Sequence, residues 1–401
     1  MIGHELRQHL QVFYGLGVAL LIVVLLTPAV GGMARLLGVV DRPGEGRRAN
    51  TRTVPRLGGL ALFLGIFVPA LAFLDLDRSM RGLLLGAAVA TTVGAIDDFR
   101  GLRWWEKLAG QLIAAAIPTG FGIWIQSFTF PVVGVHELPS WVGVPLTVLG
   151  IVAVMNMVNF LDGLDGLAAG VCCISAGTFA LIELDLGRAN AAILAAIVVG
   201  ATVGFLRHNF YPARIFMGDS GALLLGFTLA GISVEGLLKT ASLVSLFLPL
   251  AVLAVPIIDT SFVVAKRLKH RLPVYEGDRF HLHHRFLNIG YSQRRSVLTI
   301  YAWCTTLAAA ALATRFVKPH PHGEWRGWAI AVDAAIGLVA LAASVYIVYL
   351  LEIVKLANPI IRRRARASDE VLRTSSARAS DEVLRTSSEE TGRARLRRAR
   401  P

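Results

Sequence analysis

The sequence predicts an all-α polytopic membrane protein of about eleven transmembrane helices, with its N-terminus outside and its C-terminus in the cytoplasm. Three observations carry this. Of the 401 residues, 55% are hydrophobic and only 17% charged, and the mean hydropathy is +0.60; a soluble domain of this length carries more charge and shorter apolar stretches. Apolar runs such as 18–26, 83–96 and 243–258 belong to segments long enough to cross ~30 Å of hydrocarbon, which takes about 20 helical residues. Finally, Lys and Arg are unevenly shared among the connections. Those after odd-numbered segments hold 19, whereas the N-terminus and the even-numbered loops hold eight. Basic residues hold loops on the cytoplasmic side, so the odd connections and the tail face inward.

In order, the predicted spans cover 11–30, 57–74, 81–96, 108–125, 142–160, 165–184, 189–206, 220–237, 243–264, 296–314 and 328–351. The residues ahead of the first span contain Arg7 as their only Lys or Arg and lack a clear small-residue cleavage site, so no cleaved signal peptide is expected. Cys172, Cys173 and Cys304 all fall inside apolar runs without a Cys-x-x-Cys spacing, which suits small buried hydrophobes. Residues 1–354 form the membrane domain. Beyond residue 355 the character changes: ARASDEVLRTSS at 365–376 recurs unaltered at 377–388, followed by an Arg-rich run. A segment so poor in apolar residues is expected to be a disordered, basic cytoplasmic tail over 355–401. The net charge of +13 would suggest nucleic acid in a soluble protein. Here topology accounts for much of it, and no nucleic-acid partner is expected.

Four polar clusters interrupt the apolar pattern, each at the edge of a run and each on an odd-numbered connection. Carboxylates near a bilayer edge are costly unless they bind something. Asp97 and Asp98 close the third span; adjacent carboxylates repel and want a cation or proton to share, which a metal or Lys107 can supply. NFLDGLDG (159–166) spaces Asn159, Asp162 and Asp165 by three, so within a helical turn they share a face. Its glycines allow close backbone approach, and its hard oxygen ligands suit Mg²⁺. GDSG (218–221) places Asp219 at the start of a span, where helix N–H groups and glycines receive a phosphate; alternatively, Asp219 or Ser220 simply caps the helix. HLHHR (281–285) lies in the longest cytoplasmic connection. His281, His283 and His284 have no Cys or Glu within the motif to complete a zinc set, and with Arg279 and Arg285 they suit a diphosphate better.

These residues resemble the polyprenyl-phosphate N-acetylhexosamine-1-phosphate transferases, a bacterial inner-membrane group that also includes the lipid I-forming translocase. The resemblance spans about residues 11–350 and rests on six ordered motifs: PRLGG (55–59), IDDFRGLRWWEKLAGQ (96–111), NMVNFLDGLDG (156–166), FMGDSG (216–221), PIIDT (256–260) and DRFHLHHRFL (278–287). It implies that an undecaprenyl or other polyprenyl phosphate attacks the β-phosphate of a UDP-HexNAc. The products are polyprenyl-diphospho-sugar and UMP, formed on the cytoplasmic face at the start of a cell-envelope glycan. By the same resemblance Asp219 is the main Mg²⁺ ligand with Asn159 the second, Mn²⁺ being the alternative ion. Asp97, with Asp98 beside it, deprotonates or orients the lipid phosphate. Lys107 neutralises phosphate, Asp162 and Asp165 line the nucleotide pocket, and His281, His283, His284, Arg279 and Arg285 hold the diphosphate or sugar. HLHHR resembles the members using UDP-GlcNAc, whereas the lipid I enzyme carries three consecutive histidines. Direct displacement and an aspartyl intermediate both stay open, as does assembly into a homodimer. One departure stands out: many relatives carry His where Asn50 sits, which leaves a phosphate contact in that first loop open.

Two other classes fit less well. The CDP-alcohol phosphotransferases want Ala-Arg after the first Asp-Gly and two further Asp downstream, but here Gly166 is followed by Leu-Ala-Ala. A cation- or proton-coupled transporter places ionisable groups near the bilayer midplane, whereas these acids gather at span ends.

Overall fold

The computed structural model describes residues 2–42, 53–130, 134–236, 252–269, 285–287, 289–317 and 327–357. Among these are eleven helices of 16 or more residues, and each overlaps one predicted span. They are α1 (Ile2–Leu36), α2 (Gly58–Phe73), α3 (Arg78–Arg100), α4 (Trp104–Gly120), α5 (Ser140–Leu161), α6 (Leu167–Asp185), α7 (Ala189–Asn209), α8 (Gly218–Glu235), α9 (Ala254–Lys269), α10 (Gln293–Phe316) and α11 (Gly327–Ala357). Six stretches are long and apolar enough to cross a membrane: Leu10–Leu36, Arg78–Arg100, Ser140–Leu161, Leu167–Asp185, Ala189–Asn209 and Gln293–Phe316. The architecture is that of an all-α polytopic membrane protein. The Arg-rich tail from 358 onward, the first part of the ninth predicted span, and Arg279, His281, His283 and His284 lie outside the described residues.

Two short antiparallel pairs were not foreseen. β1 (Val40–Asp41) pairs with β2 (Val54–Pro55), and β3 (Ser127–Phe130) pairs with β4 (Gly134–Glu137). The second pair follows the end of α4 at Gly120, short of the predicted 125. Helix α1 is longer than expected, because the polar residues before position 11 continue the helical ladder rather than leaving it.

Helix α8 is the axis of the bundle. Every residue from Gly218 to Val234 except Asp219 is buried, the all-round burial of a helix enclosed by other helices. It packs on α3 and α5, with α2 and α6 also against it, while α7 lies between α1 and α6. Helices on the outside present large apolar side chains outward, among them Phe13, Leu25, Leu149, Trp141 and Leu341. In water this would be a large exposed apolar surface; facing lipid it costs nothing. Close approach at the axis depends on small residues. A Cβ on Gly94 of α3 would lie 2.5 Å from Ser220 Cα and from the Asp219 carbonyl oxygen, so α3 and α8 touch backbone to backbone there.

Chain direction alternates through the bundle, which sorts the sequence clusters by end. The C-termini of α3 and α5 and the N-termini of α2, α4, α6 and α8 meet at one end. That end therefore holds Asp97 and Asp98, Lys107, Asn159 and Asp162, Asp165, Arg56 and Asp219. The opposite end holds Asp77, Asp185, Arg188, Glu235 and Arg315.

Candidate active site

Two backbone segments frame the site. The PRLGG stretch runs alongside residues 216–218: Phe216 N–H donates to the Pro55 carbonyl (2.8 Å), Gly58 N–H to Phe216 (3.0 Å) and Gly59 N–H to Met217 (2.8 Å). Arg56 N–H donates to the Val39 carbonyl at 3.2 Å. Gly218 then turns the chain into α8 with φ +71, and a Cβ there would strike the Asp98 carboxylate. Only glycine meets both demands at low cost.

From α3, Asp98 reaches across to the start of α8. Its Oδ1 accepts from Asp219 N–H (2.8 Å), and its Oδ2 accepts from Ser220 N–H (3.0 Å) and Ser220 Oγ (2.8 Å). These N–H groups are among those that a helix N-terminus leaves without intrahelical partners. The sequence reading offered them to a phosphate; the fold gives them to a carboxylate 121 residues away. Helix α8 begins at Gly218, with Met217 at the cap position, so neither Asp219 nor Ser220 is the N-cap. The Asp98 side chain is fully buried, and Arg56 makes an ion pair with its Oδ1 at 3.5 Å.

One residue earlier, Asp97 points to a different partner. Its Oδ1 accepts from Leu102 N–H at 2.6 Å, bracing the turn after α3, and its Oδ2 meets Lys107 Nζ at 2.9 Å. Lys107, on the first turns of α4, also donates to Asp219 Oδ2 at 2.5 Å. Asn159, near the end of α5, closes the ring. With its amide oriented to suit both neighbours, it donates to Asp219 Oδ1 (2.8 Å) and accepts from Lys107 Nζ (3.0 Å). A single ammonium thus lies between two carboxylates and an amide oxygen, which offsets the repulsion of acids held this close. One level further along α4 and α5, Gln111 and Asn156 exchange amide hydrogen bonds (2.8 and 3.3 Å) and fix the spacing of those helices.

Other candidates take different places. The shared helical face expected for Asn159, Asp162 and Asp165 is not formed, because α5 ends at Leu161. Asp162 caps that end, its N–H donating to the carbonyls of Val158 (3.2 Å) and Asn159 (3.3 Å). Asp165 turns away and is buried; its Oδ2 accepts from Ala213 N–H at 2.9 Å and so anchors the connection leading to α8. Asn209 does parallel work between Gly166 N–H and the Ile215 carbonyl. Arg285 is half-buried beside the buried Phe286, ahead of α10. All three cysteines are free, with Cys172 and Cys304 buried as expected.

The fold brings together Asp97, Asp98, Lys107, Asn159 and Asp219, all five of them expected from the sequence. Arg56 and the Ser220 hydroxyl, both on Asp98, join them without having been expected there. Arg56 was visible as the one charged residue within PRLGG, but nothing in the sequence announces that this motif lies against FMGDSG.

The metal assignment can be tested on the donor set. Among the described residues, no three His, Cys, Asp or Glu side chains are grouped to hold an ion by themselves. Asp219, Asp97 and the Asn159 amide nevertheless supply hard oxygens within one hydrogen-bonded ring. That fits Mg²⁺, which takes one or two protein carboxylates and completes its shell with water and phosphate oxygens; it does not fit zinc.

A helical membrane bundle with a cluster of acids, amides and one lysine at a single end defines the class. The chain belongs to glycosyl transferase family 4, whose model matches residues 80–237 and so covers Asp97 through Asp219. It is 38% identical over 285 residues to the probable undecaprenyl-phosphate N-acetylglucosaminyl 1-phosphate transferase of Bacillus subtilis, covering 71% of this chain and 79% of that one. Identity is 35% over 353 residues to the decaprenyl-phosphate N-acetylglucosaminephosphotransferase of Mycobacterium tuberculosis, at 80% and 87% coverage. With the phospho-N-acetylmuramoyl-pentapeptide-transferase of Desulforudis audaxviator it is 32% over 334 residues, at 76% and 98% coverage.

Proposed function

We propose that this protein transfers N-acetylglucosamine-1-phosphate from UDP-GlcNAc to a polyprenyl phosphate, giving polyprenyl-diphospho-N-acetylglucosamine and UMP. It does so at the cytoplasmic face of the inner membrane. The observation that carries the reading is the Asp97–Lys107–Asp219–Asn159 ring at one end of the bundle. Identity to the Bacillus subtilis and Mycobacterium tuberculosis relatives named for N-acetylglucosamine transfer exceeds that to the Desulforudis pentapeptide transferase, which supports the choice of donor.

In the reaction an oxygen of the lipid phosphate forms a bond to the β-phosphorus of the donor. The bond from that phosphorus to the bridging oxygen breaks, and UMP leaves with the bridging oxygen. Two anions must meet in a medium where repulsion is strong, so the residues have two tasks. Asp219, with Asn159, would hold Mg²⁺, which when bound supplies Lewis-acid polarisation of the phosphate. Asp97, on the same helix end, orients the lipid phosphate and accepts its proton where it carries one. Asp98 keeps Asp219 in place by holding the first turn of α8, and Lys107 keeps the acids compatible before substrate arrives. Asp162, Arg285 and the histidines at 281, 283 and 284, together with Arg279, are assigned to the nucleotide, diphosphate or sugar, while Asp165, buried and bonded to the Ala213 N–H, braces the connection to α8 instead of lining the nucleotide pocket. The apolar outer faces keep the prenyl chain in hydrocarbon while its head reaches the site, so eleven spans and almost no soluble domain suffice.

Membranes supplied with polyprenyl phosphate, Mg²⁺ and a panel of UDP-sugars should release UMP with UDP-GlcNAc or a close epimer. Chelation with EDTA should stop the release, and added Mg²⁺ or Mn²⁺ should restore it. Absence of UMP release with every donor in the panel would refute the assignment.

A further inference from the structure

Lys107 has three N–H donors, and three acceptors surround it: Asp97 Oδ2, Asp219 Oδ2 and the Asn159 amide oxygen. Its side chain is only 17% exposed. An ammonium whose donors are all engaged balances charge within the protein but has none left for an incoming phosphate. To take one, it must release a carboxylate.

Arg56 presents the opposite case. Its guanidinium carries five donors in a planar fork. Among the described residues its one ion pair is to Asp98 Oδ1, at a loose 3.5 Å, and its side chain is 40% exposed. Asp98 scarcely draws on it, because both Asp98 oxygens already accept from the Asp219 and Ser220 N–H groups and the Ser220 hydroxyl at 2.8–3.0 Å. The backbone that bears Arg56 is fixed from both sides, by Val39 and by the ties between residues 55–59 and 216–217. A cation on a rigid mount, one residue from Asp219 through the shared partner Asp98, with donors open to solvent, is the usual way a site grips a phosphate.

We propose that Arg56 is a substrate-binding residue that holds a phosphate oxygen of an incoming substrate, while Lys107 serves as the internal counter-charge of the acid cluster. The inference rests on the transferase reading. Both substrates carry phosphate, the lipid as a monoester and the nucleotide sugar as a diester, so the ligand chemistry is shared and the experiment separates the two.

Initial rates of UMP release by the full-length protein in lipid nanodiscs would be measured for wild type, Arg56→Gln and Arg56→Lys, varying each substrate in turn. Loss of a charge-assisted hydrogen bond should raise KM by about tenfold to a hundredfold for the substrate whose phosphate Arg56 holds. The other KM should stay put, and kcat should change by no more than about threefold. Arg56→Lys, which keeps the charge but not the fork, should fall in between. In parallel, inorganic pyrophosphate should raise the thermal midpoint of the wild type, and about tenfold more should be needed for Arg56→Gln. If wild type releases no UMP but this difference in pyrophosphate response is seen, the phosphate site stands and the transferase reading falls. Unchanged KM for both substrates and an unchanged pyrophosphate response would overturn the inference, whether or not the variant's own thermal midpoint falls; Arg56 would then only brace Asp98.

Discussion

The two ends of the bundle carry polar groups on similar scaffolds but use them differently. At the far end several polar groups work in pairs: Asp185 pairs with Arg315 across α6 and α10 at 2.5 Å, Asp77 caps α3 by accepting from Met80 N–H, and Asn190 exchanges bonds with the Asp75 backbone. Each of these joins two partners, within one turn for Asp77 and between separate segments for the other two. At the other end Asp97, Asp98, Lys107, Asn159, Asp219 and Arg56 come from five elements and share partners, so that removing one changes the surroundings of the rest. A structural tie needs two groups. Several acids held against one another around a single lysine incur repulsion that folding alone does not require, and such an arrangement is expected where a ligand will use it.

Breaking the shared end should therefore have effects that breaking a tie does not. The largest is expected for Asp219→Asn, which removes the carboxylate common to Lys107 and Asn159; UMP release should fall by about three orders of magnitude, as for loss of a group that stabilises developing charge. Next comes Lys107→Met. Without the shared ammonium, Asp97 and Asp219 face each other uncompensated, and thermal unfolding should show a loss of about 3 kcal/mol. The double variant Lys107→Met/Asp219→Asn should be more stable than Lys107→Met alone, since it removes the repulsion as well. Additive losses in that cycle would mean that the two groups are not coupled. Gly94→Ala tests the backbone contact that sets Asp219 against α3; the added Cβ should cost about 1–3 kcal/mol by overpacking and lower activity through displacement of α8. The smallest effect belongs to the far end, where Asp185→Asn should cost about 1 kcal/mol or less in thermal unfolding for a partly exposed pair.

Much of this was legible in the sequence, for reasons that differ by element. The helices were legible because apolar runs of membrane length have few alternatives, and all eleven predicted spans meet a helix among the described residues. That Asp97, Asp98, Asn159 and Asp219 lie at one end followed from alternation: clusters on odd-numbered connections share an end. Partner choice was not legible. That Asp98 takes the N–H groups of Asp219 and Ser220, while its neighbour Asp97 takes Lys107, depends on a helix rotation and on contact at Gly94 that no local pattern encodes. The spacing of Asn159, Asp162 and Asp165 misled for a related reason. A three-residue period implies one face only while the helix lasts, and α5 stops at Leu161. Arg56 was overlooked because a lone arginine beside a run of positive-inside residues looks like topology until its contact with Asp98 is seen.

The most direct measurement compares UMP release from UDP-GlcNAc by Asp219→Asn and Asp185→Asn, each normalised to folded protein in the same membranes. Release should fall by about three orders of magnitude in the first and match wild type in the second. Equal activity in the two variants, whether both retained or both lost, would contradict the placement of the transfer site at the acid–lysine end of the bundle.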